Sequence, residues 1–268
     1  MSKAFVFGFA IGLALLAVIG VGASRRQRDV QRDAKEEKAR AELAQFNEEV
    51  VDATNVQLGV LTDTQRIHSR FYTYYREVRG GKSISDIAGR AQGKSKIVET
   101  MVLTPLGPVL TELETPKNYF AKLAHESDAI ISGRVASKVS QITEDDSFIF
   151  TDYKIIIAEV LKNNITAPVE TAGATITITR PGGKIVLDGV IVKARDASFA
   201  PLPLNNDVLL FLKFISATGS YRVTEATGAF ELDGLSFHPL TTLSFPPGVL
   251  EDKTSLLQTV RAVSKDSR

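Results

Sequence analysis

The chain has 268 residues, a formal net charge of +1, and neither cysteine nor tryptophan; 44% of its residues are hydrophobic. That length suffices for one or two domains with a real core. The balanced charge argues against nucleic-acid binding, which draws on a basic excess, and the missing cysteine excludes disulfides, a thiolate nucleophile, cysteine-ligated zinc or iron–sulfur sites and a lipid-modified cysteine anchor.

Ala4 to Ala23 is an uncharged run, AFVFGFAIGLALLAVIGVGA. At about 1.5 Å per residue, a helix of this length covers roughly 30 Å, the hydrocarbon core of a bilayer. The run exceeds a signal-peptide core of roughly 7–15 residues. Arg25, Arg26 and Arg28 follow at once and make a poor mature N-terminus to translocate. Residues 1–23 therefore read as a membrane anchor, with a signal peptide cut after Val21-Gly22-Ala23 as the alternative. Gly8 and Gly12 fit a small-xxx-small helix-packing pattern, which a subunit of a membrane complex would use. Lys3 stands before the run, whereas Arg25, Arg26, Arg28, Arg32, Lys35 and Lys38 follow it. Taken alone, the positive-inside rule puts the C-terminal part in the cytoplasm.

Residues 24–80 read as a helical stalk. Its first half is rich in Arg, Lys, Glu, Ala and Gln, with a broken apolar stripe of Val30, Ala34, Leu43, Phe46 and Val50 that builds no heptad. A second helical pattern, TDTQRIHSRFYTYYREV, is capped by Thr62 or Asp63 and stopped by Gly80-Gly81. Phe71, Tyr72, Tyr74 and Tyr75 sit there with Arg66, Arg70, Arg76 and Arg79. We expect an amphipathic helix packed on the domain, its arginines in water. Residues 81–118, punctuated by Gly89, Gly93, Pro105, Gly107, Pro108 and Pro116, read as a linker with a short helix near Ile84–Ala91.

A β domain spans 119–240, entered through the helical turn YFAKLAHESD. DAIISGRVASKV and FIFTDYKIIIAEVL alternate around a tip at Glu144-Asp145-Asp146. TITITR turns on Pro181-Gly182-Gly183, KIVLD turns on Asp188-Gly189, and VIVKA runs back. DVLLFLKFI is the most buried strand; YRVTEA and a second Asp-Gly turn at Asp233-Gly234 close a meander. Residues 241–268 end in an amphipathic helix whose Leu256, Leu257, Val260 and Val263 pack back on the domain. The expected fold is mainly β, an antiparallel barrel (OB-like) or sandwich, preceded by the N-terminal transmembrane helix and helical stalk and followed by a short C-terminal helix.

Asp128 to Val135, Thr151 to Lys162, and Thr179 to Gly183 together resemble a group of bacterial proteins with an N-terminal membrane or export segment. More distantly, they are similar to the OB-fold modules of the netrin and metalloproteinase-inhibitor type. Those modules open on an Asp-apolar-apolar-Gly-x-Val strand paired with a Tyr-apolar-x-apolar-x-x-Val-Leu-Lys strand. The resemblance covers the first half of the β domain and implies the fold and an extracytoplasmic address, opposing the positive-inside count. The inhibitory mechanism does not carry over, because it uses a cysteine-bearing N-terminus.

Few residues offer chemistry. His68, His125 and His238 lie in separate regions without metal-ligand spacing. No Gly-x-Ser-x-Gly elbow occurs. The catalytic candidates are His125, Asp128 and His238, where a hydrolase would need His125 or His238 to converge in space with a carboxylate. The metal candidates are Glu144, Asp145 and Asp146, oxygen ligands on a loop that lacks calcium-loop order; the bland reading is a charged hairpin tip. Arg180-Pro181-Gly182-Gly183-Lys184 combines glycines with two cations and is a candidate anion cradle, although a hairpin turn explains the glycines. No cofactor is expected. The expected function is a membrane-tethered, non-catalytic binding or scaffold module of the cell envelope, joined to the membrane through Ala4–Ala23 and to an unknown protein partner, with no nucleic acid. The alternatives are a hydrolase with a His/carboxylate site in the β domain, and an accessory subunit of a membrane complex.

Overall fold

The structure, a computed structural model, describes residues 31, 34–35, 37–45, 52–102, 115–169, 172–241 and 252–266. Ala4–Ala23, the expected membrane segment, lies outside the described residues; among them, no helix is long and apolar enough to cross a membrane. The chain divides into two compact units, 1–51 and 52–268. The described residues of the first unit form a helix, α1 (residues 31, 34, 35 and 37–45), exposed throughout. Lys38 and Glu42 stand one turn apart on it at 4.0 Å.

The second unit is mainly β. Its strands are β1 (Thr54–Asn55), β2 (Ile97–Val102), β3 (Ala129–Ile142), β4 (Ile149–Lys162), β5 (Thr175–Pro181), β6 (Gly183–Leu187), β7 (Val190–Asp196), β8 (Asp207–Ile215), β9 (Ser220–Val223), β10 (Ala229–Asp233) and β11 (Ser236–Pro239). One sheet has the order β1-β6-β7-β2, the other β11-β10-β8-β3-β4-β5-β9. β9 also pairs with β8, so the hydrogen-bonded path through β8, β3, β4, β5 and β9 returns to its starting strand. All five contribute side chains to one apolar cluster, including Val135, Tyr153, Ile155, Ile178, Leu210 and Tyr221. The period-2 alternation along β4 explains this: Tyr153, Ile155 and Ile157 are buried, whereas Lys154, Ile156 and Ala158 are exposed.

Helices cover the sheets. α2 (Asp63–Arg70) starts in a capping box of Thr62 and Gln65, and α3 (Tyr75–Val78) follows closely. α4 (Ile84–Ala91) is capped by Ser83. Tyr72, Tyr75, Ile84 and Ala88 pack with Phe148, Phe150, Ile185 and Val192 in a second cluster. α5 (Pro116–Glu126) has Thr115 as its cap and proline at its first position. Lys162 donates to the carbonyls of Ala124 and Ser127 at its far end, at 2.7 and 2.8 Å. Phe120 and Leu123 of α5 meet Leu256, Val260 and Val263 of α6 (Lys253–Asp266) over Phe211 and Phe230, as the C-terminal apolar face predicts.

Four expectations change. Residues 52–80, expected in the stalk, pack within the second unit, because Tyr72 and Tyr75 have a sheet face to cover. Within 81–118, expected as a linker, α4 forms as predicted, but 97–102 becomes β2 and pairs in parallel with β7. The sheets are also not wholly antiparallel, since β1–β6, β2–β7 and β5–β9 are parallel. Pro181-Gly182-Gly183 is a corner and not a hairpin turn: β5 pairs with β4 and β9, while β6 pairs with β1 and β7. Gly182, at φ 90°, carries the chain from one sheet to the other, a conformation that favours glycine.

Candidate functional site

The residues singled out for catalysis are not brought together by any bond. His125 is exposed near the end of α5 and His238 is exposed on β11 opposite Glu231. Asp128 accepts from the Phe214 amide at 2.8 Å and faces Lys213 at 3.4 Å, so its carboxylate fastens the start of β3 to β8. The acidic tip binds its own surroundings. Glu144 lies 3.8 Å from Arg66 and 4.0 Å from Arg70. Asp145 accepts from the Ser147 amide and hydroxyl, and Asp146 from the Ser85 amide. Among the described residues, no three His, Asp or Glu side chains converge as a metal site.

The corner at 180–184 opens onto a cleft of about 200 Å³. Four cations line it, Lys138, Lys184, Lys193 and Arg195, against one carboxylate, Asp52. Lys184 and Lys193 stand directly opposite each other on β6 and β7. Asp52 bridges Lys138 at 2.6 Å and Lys184 at 3.3 Å. Burial works to raise its carboxyl, but the hydrogen bond and charge of Lys138, with the charge of Lys184, outweigh it and hold the group below the usual carboxylate range. Arg195 pairs with Glu99 at 3.0 Å. The floor is tightly built: Ser140 and Thr151 hydroxyls lie 2.8 Å apart, and Thr151 donates to the Gly182 carbonyl at 2.6 Å. A Cβ on Gly183 would stand 2.4 Å from the Thr151 hydroxyl and 2.5 Å from that of Ser140, so only glycine fits there. The cation and glycine content of 180–184 was the signal for this cleft; Asp52, Lys138, Lys193 and Arg195 carried none, because they come from other strands.

A second constellation had no local signal. His68, on α2, is fully buried. Its Nδ1 lies 2.8 Å from Asp152 Oδ1, and its Nε2 lies 2.7 Å from Ser220 Oγ and 3.3 Å from Thr218 Oγ1. A histidine between a carboxylate and a serine hydroxyl is the arrangement of serine hydrolases. Ser220, however, is only 2% exposed, and its hydroxyl is 2.5 Å from that of Thr218. Both ring nitrogens are occupied within the fold, so the network fastens α2 to β4 and β9.

No protein-family model matches the chain, and no curated protein matches it.

Proposed function

We propose that this chain is a membrane-tethered, non-catalytic module of the cell envelope that binds an anionic group in the cleft beside Gly182 and Gly183. Ala4–Ala23 is the tether, and the β unit works outside the cytoplasm. The observation that carries the reading is the cleft lining, four cations against one carboxylate. The Asp52 carboxylate between two ammonium groups marks how an incoming oxyanion would be held, as charge-assisted bonds to lysine favour phosphate and carboxylate oxygens. The ring β8-β3-β4-β5-β9, with its single parallel pair, supports an OB-like barrel, a fold that presents one face and its loops to polymeric ligands. Titration of the full chain in neutral detergent with glycerol phosphate tests the site. Binding should weaken with salt, and Lys184→Ala combined with Lys193→Ala should weaken it about tenfold or more. Unchanged affinity in the double variant refutes the cleft. Protease added to intact spheroplasts tests the address: the β unit should be digested, and protection until the membrane is broken overturns the extracytoplasmic placement.

A second reading, a hydrolase, is favoured by the line-up of Asp152, His68 and Ser220. It ranks lower because substrate has no exposed route to Ser220. Ester or peptide turnover abolished by both His68→Ala and Ser220→Ala would place it first.

A further inference from the structure

The other side of the same corner holds a cation without enough partners. Arg180 is 1% exposed. Its Nη2 donates to the Leu240 carbonyl at 2.6 Å, while Nε and Nη1 are buried with no hydrogen-bond partner. The hydroxyl of its neighbour Thr179 is buried without a partner as well. Three of the seven such atoms among the described residues thus belong to two adjacent residues. Leaving buried charged donors unpaired is costly, and native folds rarely tolerate it. Burial lowers the guanidinium to about 10 despite the opposing charge of Asp196. Asp196 does not bond to it; its carboxylate accepts from the Tyr75 hydroxyl and the Ser198 amide.

Thr179 and Arg180 line a pocket of about 110 Å³. Arg222, directly across the parallel pair from Thr179, lines it too, and its guanidinium lies 5.8 Å from the Phe71 ring. The remaining wall is mostly aromatic, Phe71, Tyr72, Tyr74 and Phe199, with Pro181 and Val223. Phe71 and Tyr74 are exposed, so the pocket reaches the surface between them. Two guanidinium groups and a hydroxyl in the lining of a largely aromatic pocket match a carboxylate carried on a flat apolar body.

We propose that this pocket is a second binding site, which takes an aromatic or similarly flat carboxylate: its oxygens pair with Arg180 and Arg222, and its body lies against Phe71, Tyr74 and Phe199. The site is independent of the phosphate cleft, although the two share Pro181 and Phe199 as wall.

The test uses the full chain in neutral detergent and benzoate as probe, with benzamide as its uncharged counterpart. Benzoate should bind and shift one arginine Nε–H resonance, the one lost in Arg180→Lys. Benzamide should not bind. Arg222→Met, at a half-exposed position, should weaken benzoate about tenfold or more and leave glycerol phosphate binding as in the wild type. Equal binding of benzamide, an unchanged affinity in Arg222→Met, or loss of benzoate binding only in the Lys184/Lys193 double variant would each overturn the proposal.

Discussion

Replacing His68 by alanine tests whether the buried His68 network is a clamp. The Asp152 side chain is 13% exposed and loses its imidazole partner, while Ser220 and Thr218 keep each other at 2.5 Å. A buried charged acceptor left without its donor costs about 1–3 kcal/mol or more. Deleting the ring from a fully buried position adds a cavity cost of about 2 kcal/mol, on the low side of the large-to-alanine series. The sum is roughly 3–5 kcal/mol, a large part of the roughly 5–15 kcal/mol of a typical domain. For a unit of 217 residues, 52 through 268, each kcal/mol moves Tm by about 2–4 °C, so a fall of roughly 6–20 °C is expected. Thermal unfolding followed by circular dichroism measures it. Asp152→Asn should lose less, because an amide still offers the ring an acceptor. A His68→Ala Tm within about 2 °C of the wild type would refute the reasoning, since no buried network of that cost would then exist.

Other expectations follow from single positions. A Cβ on Gly133 would stand 2.5 Å from the Ile156 carbonyl oxygen and 2.8 Å from Ile155 Cγ2. Backbone of the paired strand cannot swing aside as a side chain would, so Gly133→Ala should cost about 1–3 kcal/mol in urea unfolding; an unchanged midpoint would contradict the close approach. Asp52 is held below its ordinary value of 3.8, so its contribution to stability is complete above that value and is lost as pH falls through the lower folded value. Asp52→Asn should therefore lose less stability than the wild type between about pH 6 and about pH 3. The same variant should bind glycerol phosphate more tightly, because the resident carboxylate no longer competes; weaker binding would mean that Asp52 organises the lysines instead.

Much of the second unit was legible because its signals are local. Alternation along β4 sets its two faces, and Asp188-Gly189 makes the turn between β6 and β7 with φ of 49° and 76°, positive at both central residues as a tight hairpin needs. Leu256, Val260 and Val263 form the buried stripe of α6 for the same reason, helical spacing. The glycines and cations of 180–184 likewise marked a segment that lines a cleft. Only the tertiary structure decided that this corner joins two sheets, and that β2 enters beside β7. It also brought His68 to partners 84 and 152 residues away. It alone buried Arg180, which ends a run that reads as one more alternating strand. Periodicity and turn chemistry act over a few residues, where side-chain direction follows from backbone geometry. Which strand lies beside which, and which charge is left without a partner, depends on contacts between distant segments, and these are set by how the whole apolar surface closes.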